Sequence, residues 1–378
     1  MGEHRSDGNR RRSTGLTSGL STPVTDPLRI GVIGTGMMGC EHIRNIVAMP
    51  QAEVVAISDP NEAPRSWARR ELGDRGVQEF RDHRDLLAAD VVDALVVASP
   101  NHTHVDVLRD VLSTDLPVLV EKPMCTTIDD CRDVVDWAGR RSAITWVGLE
   151  YRYMAPIAAL VEVVRSGRLG ATRMVSIREH RFPFLVKVDN WNRFSRNTGG
   201  TLVEKCCHFF DLMNLIVDSR PRRVFASGSQ DVNHLDEFYD GERSDILDNA
   251  FVIIDYENGV RAHLDLCMFA EGSRQEQEIS VVGDTGKVEA AIPGDGSVYV
   301  GNRHDRSVVA TAAPIDPSVA HVGFHFGASY VELVRFCDAV RSGTSAEVDV
   351  HAGLASVAIG VAAHRSIDEG RPIMMDEL

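Results

Sequence analysis

The stretch Leu28–Gly39 reads LRIGVIGTGMMG, and its folding decides how the rest of the chain is read. Ile30, Val32 and Ile33 form a short β-branched run with the length of a buried strand. It breaks into Gly34-Thr35-Gly36-Met37-Met38-Gly39, a G-x-G-x-x-G pattern. Ile43, Ile46 and Val47 then recur at helical spacing, so residues 38–49 are predicted helical. Strand, glycine turn and helix are the context in which this pattern holds a dinucleotide. Gly34 permits the tight turn, Gly36 admits a pyrophosphate to the backbone, and Gly39 lets the helix pack on the strand. The helix N-terminus adds partial positive charge. A second strand-like run, Glu53–Ser58, ends in Asp59, 25 residues beyond Gly34. An acidic side chain near that spacing accepts hydrogen bonds from the adenosine ribose and repels a 2′-phosphate, which favours NAD over NADP. Asp59-Pro60-Asn61 also suits an ordinary turn. The two features in register decide for dinucleotide binding.

The 378-residue chain is long enough for two domains, each with its own core. Its 43% hydrophobic and 25% charged residues fit a globular protein. A formal charge of −15 argues against non-specific binding to nucleic acid or anionic membrane. Seven cysteines without a C-x-x-C pair point to a reducing compartment, not to a disulfide framework or zinc site. No apolar stretch approaches the roughly 20 residues of a membrane span. Residues 1–27 are rich in Gly, Ser, Thr, Arg and Pro and are predicted disordered. Arg10-Arg11-Arg12 lacks the apolar segment that would follow it in a twin-arginine leader, so a cytoplasmic location is expected.

Strand and helix patterns alternate from Leu28 to Glu150. Strands are predicted at 28–34, 53–58, 77–80, 93–99, 117–120 and 144–149, with helices at 38–49, 62–72, 102–113 and 127–140. Such alternation gives a parallel sheet covered on both faces, with ligands beyond the carboxyl ends of its strands. Two of those ends are Ser99-Pro100-Asn101-His102-Thr103-His104 and Glu121-Lys122-Pro123. Taken singly, each also reads as a capping or surface turn.

From Tyr151 the pattern changes. Helices are predicted at 153–167, 201–217, 325–341 and 350–368. Strands are predicted at 172–180, 222–228, 249–256, 260–269, 276–283 and 286–291. Glu257-Asn258-Gly259 and Gly283-Asp284-Thr285-Gly286 mark hairpins. An antiparallel sheet with helices on one side follows. Residues 230–248 and 293–322 read as polar loops.

The ordered set of G-x-G-x-x-G, Asp59, S-P-N-H-x-H, E-K-P and the later G-G-x-L-x-E-x-x-x-H-x-x-D resembles the glucose-fructose oxidoreductase / inositol dehydrogenase / rhizopine catabolism (Gfo/Idh/MocA) family. The resemblance covers nearly all of residues 28–378. It implies an α/β architecture: a Rossmann domain over 28–150, then a C-terminal α+β domain over 151–378 with a large open, mostly antiparallel sheet. The last helices would pack back on the first domain, and the exposed sheet face would form contacts of a homodimer or homotetramer.

The resemblance further implies an NAD-dependent dehydrogenase acting on the CH–OH group of an inositol-like polyol or sugar. A cofactor set follows: Gly34, Thr35, Gly36, Met37, Met38, Gly39, Asp59, Ser99, Pro100, Asn101, His104, Glu121 and Lys122. Lys122, His208 and Glu204 would be catalytic. Lys122 would polarise the substrate hydroxyl or relay its proton, and Glu121 would face the nicotinamide ribose. Glu204 and His208, four apart, share a face of one predicted helix. Apolar neighbours also allow His208 to be an ordinary core histidine. Many inositol dehydrogenases carry Asp where this chain has Glu204, a difference of about 1.5 Å in reach. Asp211 fits an orienting acid.

Arg152 fits either a substrate contact or an interdomain ion pair. Trp191 and Asn192 are candidate substrate contacts, with His321 and His325 behind them. His102 and His104, two apart, read as turn and cofactor contacts, and no metal site is expected. Two other readings stay open: a redox-neutral glycoside-cleaving enzyme using NAD catalytically, and a non-catalytic NAD-binding sensor.

Overall fold

Continuous apolar runs make strands that are buried on both faces, and the first sheet is built from them. The computed structural model describes residues 26–378, so the predicted disorder of residues 1–25 lies outside the described residues. The first half runs β1 (Leu28–Ile33), α1 (Met37–Val47), β2 (Ala52–Ser58), α2 (Glu62–Leu72), β3 (Gln78–Phe80) and α3 (His83–Ala88). It continues with β4 (Ala94–Val97), α4 (His104–Val111), β5 (Val118–Glu121), α5 (Ile128–Ala138) and β6 (Thr145–Gly148). The six strands are parallel in the order β3-β2-β1-β4-β5-β6. Strand addition reverses between β1 and β4, opening a crevice at their carboxyl ends. The six-residue α3 was not anticipated, being too short to show a helical period.

The second half carries α6 (Ala155–Arg165), β7 (Thr172–His180), α7 (Ser195–Thr198), α8 (Thr201–Glu204), α9 (Cys207–Val217) and β8 (Pro221–Ser229). A two-residue hairpin, β9 (Phe238–Tyr239) and β10 (Glu242–Arg243), interrupts a segment expected to be loop. Then come β11 (Asn249–Tyr256), β12 (Arg261–Cys267), β13 (Gln277–Gly283), β14 (Gly286–Ile292), β15 (Ser297–Asn302) and β16 (Val308–Ala312). Helices α10 (Ala328–Ser342) and α11 (Val350–Glu369) and strand β17 (Ile373–Met374) close the chain.

Nine strands form one sheet in the order β16-β15-β14-β13-β7-β12-β11-β8-β17. Both expected hairpins are present, and the β7–β12 pair is parallel, so the sheet is mixed but mostly antiparallel. Strands β15 and β16 fall in the segment read as loop. The outer one is exposed along its whole length, so no polar–apolar alternation marks it. Inner-face residues such as Val252, Ile254 and Leu264 are fully buried against α6, α9 and α11. Leu333 and Phe336 of α10 belong instead to the core of the parallel sheet, with Phe336 edge-on to Trp146. Among the described residues, no helix is long and apolar enough to cross a membrane.

Candidate active site

A cleft of about 950 Å³ opens where the crevice between β1 and β4 meets the second sheet's helices. Its floor is the glycine turn. A Cβ on Gly34 would stand 2.5 Å from Ser99 N, and φ there is +88°. A Cβ on Gly39 would stand 2.0 Å from the Gly34 carbonyl oxygen, so helix and strand touch through backbone. A Cβ on Gly36 would meet no atom within 4 Å, because that side of the turn is the cleft. Met37 and Met38 line the same wall at the start of α1, where the first-turn N–H groups have no helical partner.

Asp59 lines the cleft at the end of β2. Its Oδ2 accepts the Thr35 N–H at 2.9 Å and its Oδ1 the Asn61 N–H at 2.9 Å, leaving lone pairs toward the cleft. Ser99, Pro100, Asn101 and His102 line the opposite lip, with Trp67 of α2 beyond Asp59. These residues fit a dinucleotide: an open glycine approach, an acceptor for the ribose, and an aromatic face for the base.

At the other end Glu121, Lys122, Lys187 and Glu204 converge, and Trp191 lines the cleft beside His102. Lys122 Nζ donates to the Glu204 backbone carbonyl at 3.2 Å. Burial works against the Lys122 charge, but the acidic side chains of Cys207, Glu121, Glu204 and Glu150 outweigh it and raise its pKa. Lys122 is therefore an ammonium at neutral pH. Burial pushes the half-buried Lys187 the other way; Glu204 opposes and Lys122 assists. Burial also raises the Glu204 carboxyl against the pull of Lys122 and Lys187, and its Oε2 has no partner. Burial would raise Glu121 too, but the 2.7 Å contact from His42 and the charge of Lys122 hold it at about 2.

Several expected contacts lie elsewhere. His104 is fully buried, its ring nitrogens 2.9 Å from Pro123 O and 3.0 Å from Ser99 O, so it braces two strand-end turns instead of touching cofactor. Thr35 points inward and reaches the cleft only through Asp59. Asn192 is buried and donates to Leu185 O, away from the cleft. Arg152 forms an ion pair, but with a partner from the same half of the chain and not across the two domains: it grips Asp211 through both Nε, at 2.6 Å, and Nη2. His102 does line the cleft, with its ring centroid 6.0 Å from that of Trp191.

The predicted helix over 201–217 is two pieces, interrupted at Lys205 and Cys206, so Glu204 and His208 do not share one uninterrupted face. Lys205 turns inward to Glu179 at 3.0 Å and to the Tyr151 hydroxyl at 2.7 Å. His208 lies behind the cleft wall, stacked on Tyr151 at 3.9 Å. His321 contacts Glu41 at 3.3 Å and His325 contacts Glu150 at 3.1 Å; neither lines the cleft. Trp67, Lys187 and His42 escaped sequence reading. Only Trp67 left a signal, as a lone aromatic among the charges of α2. Among the described residues, no group of three His, Cys, Asp or Glu side chains is arranged to hold a metal ion.

Comparison with known proteins gives this geometry its context. Residues 28–149 match the model "Oxidoreductase family, NAD-binding Rossmann fold", and 161–375 match "Oxidoreductase family, C-terminal alpha/beta domain". The chain is 26% identical to Myo-inositol 2-dehydrogenase of Thermotoga maritima, over 93% of this chain and 99% of that protein. It is 24% identical to scyllo-inositol 2-dehydrogenase (NAD(+)) of Bacillus subtilis, over 92% and 96%. A structure of levoglucosan dehydrogenase with NADH shares the fold at a TM-score of 0.81 and 18% identity, covering 93% of this chain and 99% of that one. The parallel sheet with its glycine turn and the helix-backed mixed sheet thus agree with the two family descriptions, and the chain belongs to the Gfo/Idh/MocA family of NAD-binding oxidoreductases.

Proposed function

We propose that the chain is an NAD-dependent dehydrogenase acting on a secondary alcohol of a cyclic polyol or sugar, with inositol-type substrates first. The observation that carries this is the convergence of Lys122 and Glu204 at one end of a cleft whose other end holds Asp59 and the glycine turn. The names of the inositol dehydrogenases to which the chain is similar support the substrate class. Gly36, Met37 and Met38 would hold the pyrophosphate, Asp59 the ribose, and Trp67 the base. The nicotinamide, when bound, supplies the hydride acceptor. Lys122 donates to the substrate oxygen and steadies the negative charge that grows there as the proton leaves. Glu204 and Lys187 hold neighbouring hydroxyls, and Trp191 offers a flat face to the ring.

Incubation with NAD and a panel of inositols and aldoses, followed by nicotinamide absorbance, tests this. Reduction with at least one polyol is expected. Silence across the panel, with NAD binding shown separately, would leave the redox-neutral and sensor readings. NAD is proposed over NADP because the Asp59 carboxylate would face a 2′-phosphate. Asp59→Ala is predicted to erase the preference, read as the ratio of kcat/KM for the two cofactors. An unchanged ratio would remove Asp59 from that role.

A further inference from the structure

Glu150 is 1% exposed, and neither of its carboxyl oxygens accepts a well-aligned hydrogen bond. Burying a carboxyl so poorly matched costs stability, yet Glu150 does not line the cleft. It sits just beyond β6, between two imidazoles. His325 Nδ1 is 3.1 Å from its Oε1, and His208 Nε2 is 3.8 Å from the same oxygen. His208 is held flat on Tyr151, and its other nitrogen, Nδ1, is buried without a partner. Burial, with the charges of Lys122 and Lys205, keeps His208 neutral. A neutral imidazole accepts a proton at one nitrogen and releases one from the other. The His325 side chain is 19% exposed and so reaches water.

We propose that Glu150 is the internal proton carrier of this site, passing the proton of the substrate hydroxyl from His208 to His325 and on to solvent. The proposal rests on the polyol dehydrogenase reading. As the alcohol becomes a ketone, its O–H bond breaks and the proton bonds to Lys122 Nζ, which lines the cleft, as Lys122 gives one of its own protons to His208 Nδ1 behind the wall. The Nε2 proton passes to the Glu150 carboxylate across a gap that a small side-chain rotation closes. The carboxyl then loses it through His325 to water. The electron pair of the broken C–H bond leaves as hydride to the nicotinamide, so no other oxidant is needed. Burial first, then the charge of Glu121, raise the Glu150 carboxyl to about 8 against Lys122 and Lys205. Glu332 faces it from α10. Both of its forms are therefore within reach near neutral pH.

The test uses the full-length protein labelled with [δ-13C]glutamate, with Glu150→Gln as an isosteric variant that takes no proton. One carboxyl resonance, absent in the variant, is expected to titrate near pH 8. His325→Gln leaves the carboxyl in place and is expected to move the same midpoint, which assigns the resonance if Glu150→Gln misfolds. With a polyol that turns over, Glu150→Gln is expected to lose the rise of oxidation rate through pH 8 and to slow roughly 10²-fold. A midpoint below about pH 5, the ordinary carboxyl range, or a variant that keeps the alkaline rise, would overturn the proposal. A panel without turnover would refute the polyol reading instead. The midpoint then still decides whether Glu150 can take up and release a proton near neutral pH, and a midpoint in the ordinary carboxyl range would still overturn its part as carrier.

Discussion

Lys122 and Lys187 share one end of the cleft, but their surroundings push their pKa values apart, up for Lys122 and down for Lys187. On the proposed reading, Lys122→Ala and His208→Ala each lower kcat by roughly 10²–10⁴ while NAD still binds. Steady-state rates beside a direct NAD titration check this, and near-normal turnover in both variants would sink the assignment. Glu150 makes a prediction that needs no substrate. Between the ordinary carboxyl pKa of 4.5 and about 8, the unfolded chain has lost a proton that the folded protein keeps. Stability therefore falls as pH rises through that window. Glu150→Gln removes the loss, so its Tm advantage over wild type should grow by several degrees from about pH 5 to pH 8, then level off. A pH-independent difference would contradict it. Lys122 was legible because E-K-P fixes its place after a strand. Lys187 was not, since only the folded chain brings it from a patternless loop to Glu204.

At the scale of elements, the glycine turn separates packing from binding within three positions. Gly39→Ala puts a methyl against the Gly34 carbonyl and forces α1 off β1, at a cost of roughly 2–4 kcal/mol. Gly36→Ala meets no protein atom. It should unfold like wild type but weaken NAD binding at least roughly tenfold (about 1.4 kcal/mol), because its methyl occupies the cofactor's approach. Thermal unfolding and isothermal titration of both variants separate the two roles. Equal losses of Tm would contradict the assignment. The strands and helices of the parallel sheet were legible because two-sided burial writes uninterrupted apolar runs into the sequence. The break at Lys205-Cys206 was not. Cys207, Phe209 and Phe210 continue an apolar pattern across it, and what turns Lys205 inward is an ion pair with Glu179 from a distant strand.

For the whole molecule, the nine-stranded sheet leaves one face without a layer over it. Its inner face is buried under helices, whereas Met174, Phe225, Phe251 and Ile253 stand 41–58% exposed on the outer one. Phe225, Phe251 and Ile253 adjoin one another. Ile253 pairs directly with Phe225 on one side and His263 on the other, and Phe251 stacks on His263 at 5.9 Å. A contiguous apolar patch on a broad, open sheet is costly to leave in water. A second copy of the same sheet is the simplest cover, because a two-fold axis matches a patch to itself. We therefore predict that the protein is a dimer or larger in solution, and that Phe251→Glu with Ile253→Lys shifts it to monomer without changing its far-UV circular dichroism. Light scattering after size exclusion gives the mass directly. Because the patch lies on the face opposite the helices that reach the cleft, the monomer should keep NAD binding. A wild-type monomer, or a double variant that stays associated, would show that this face is not what joins the subunits.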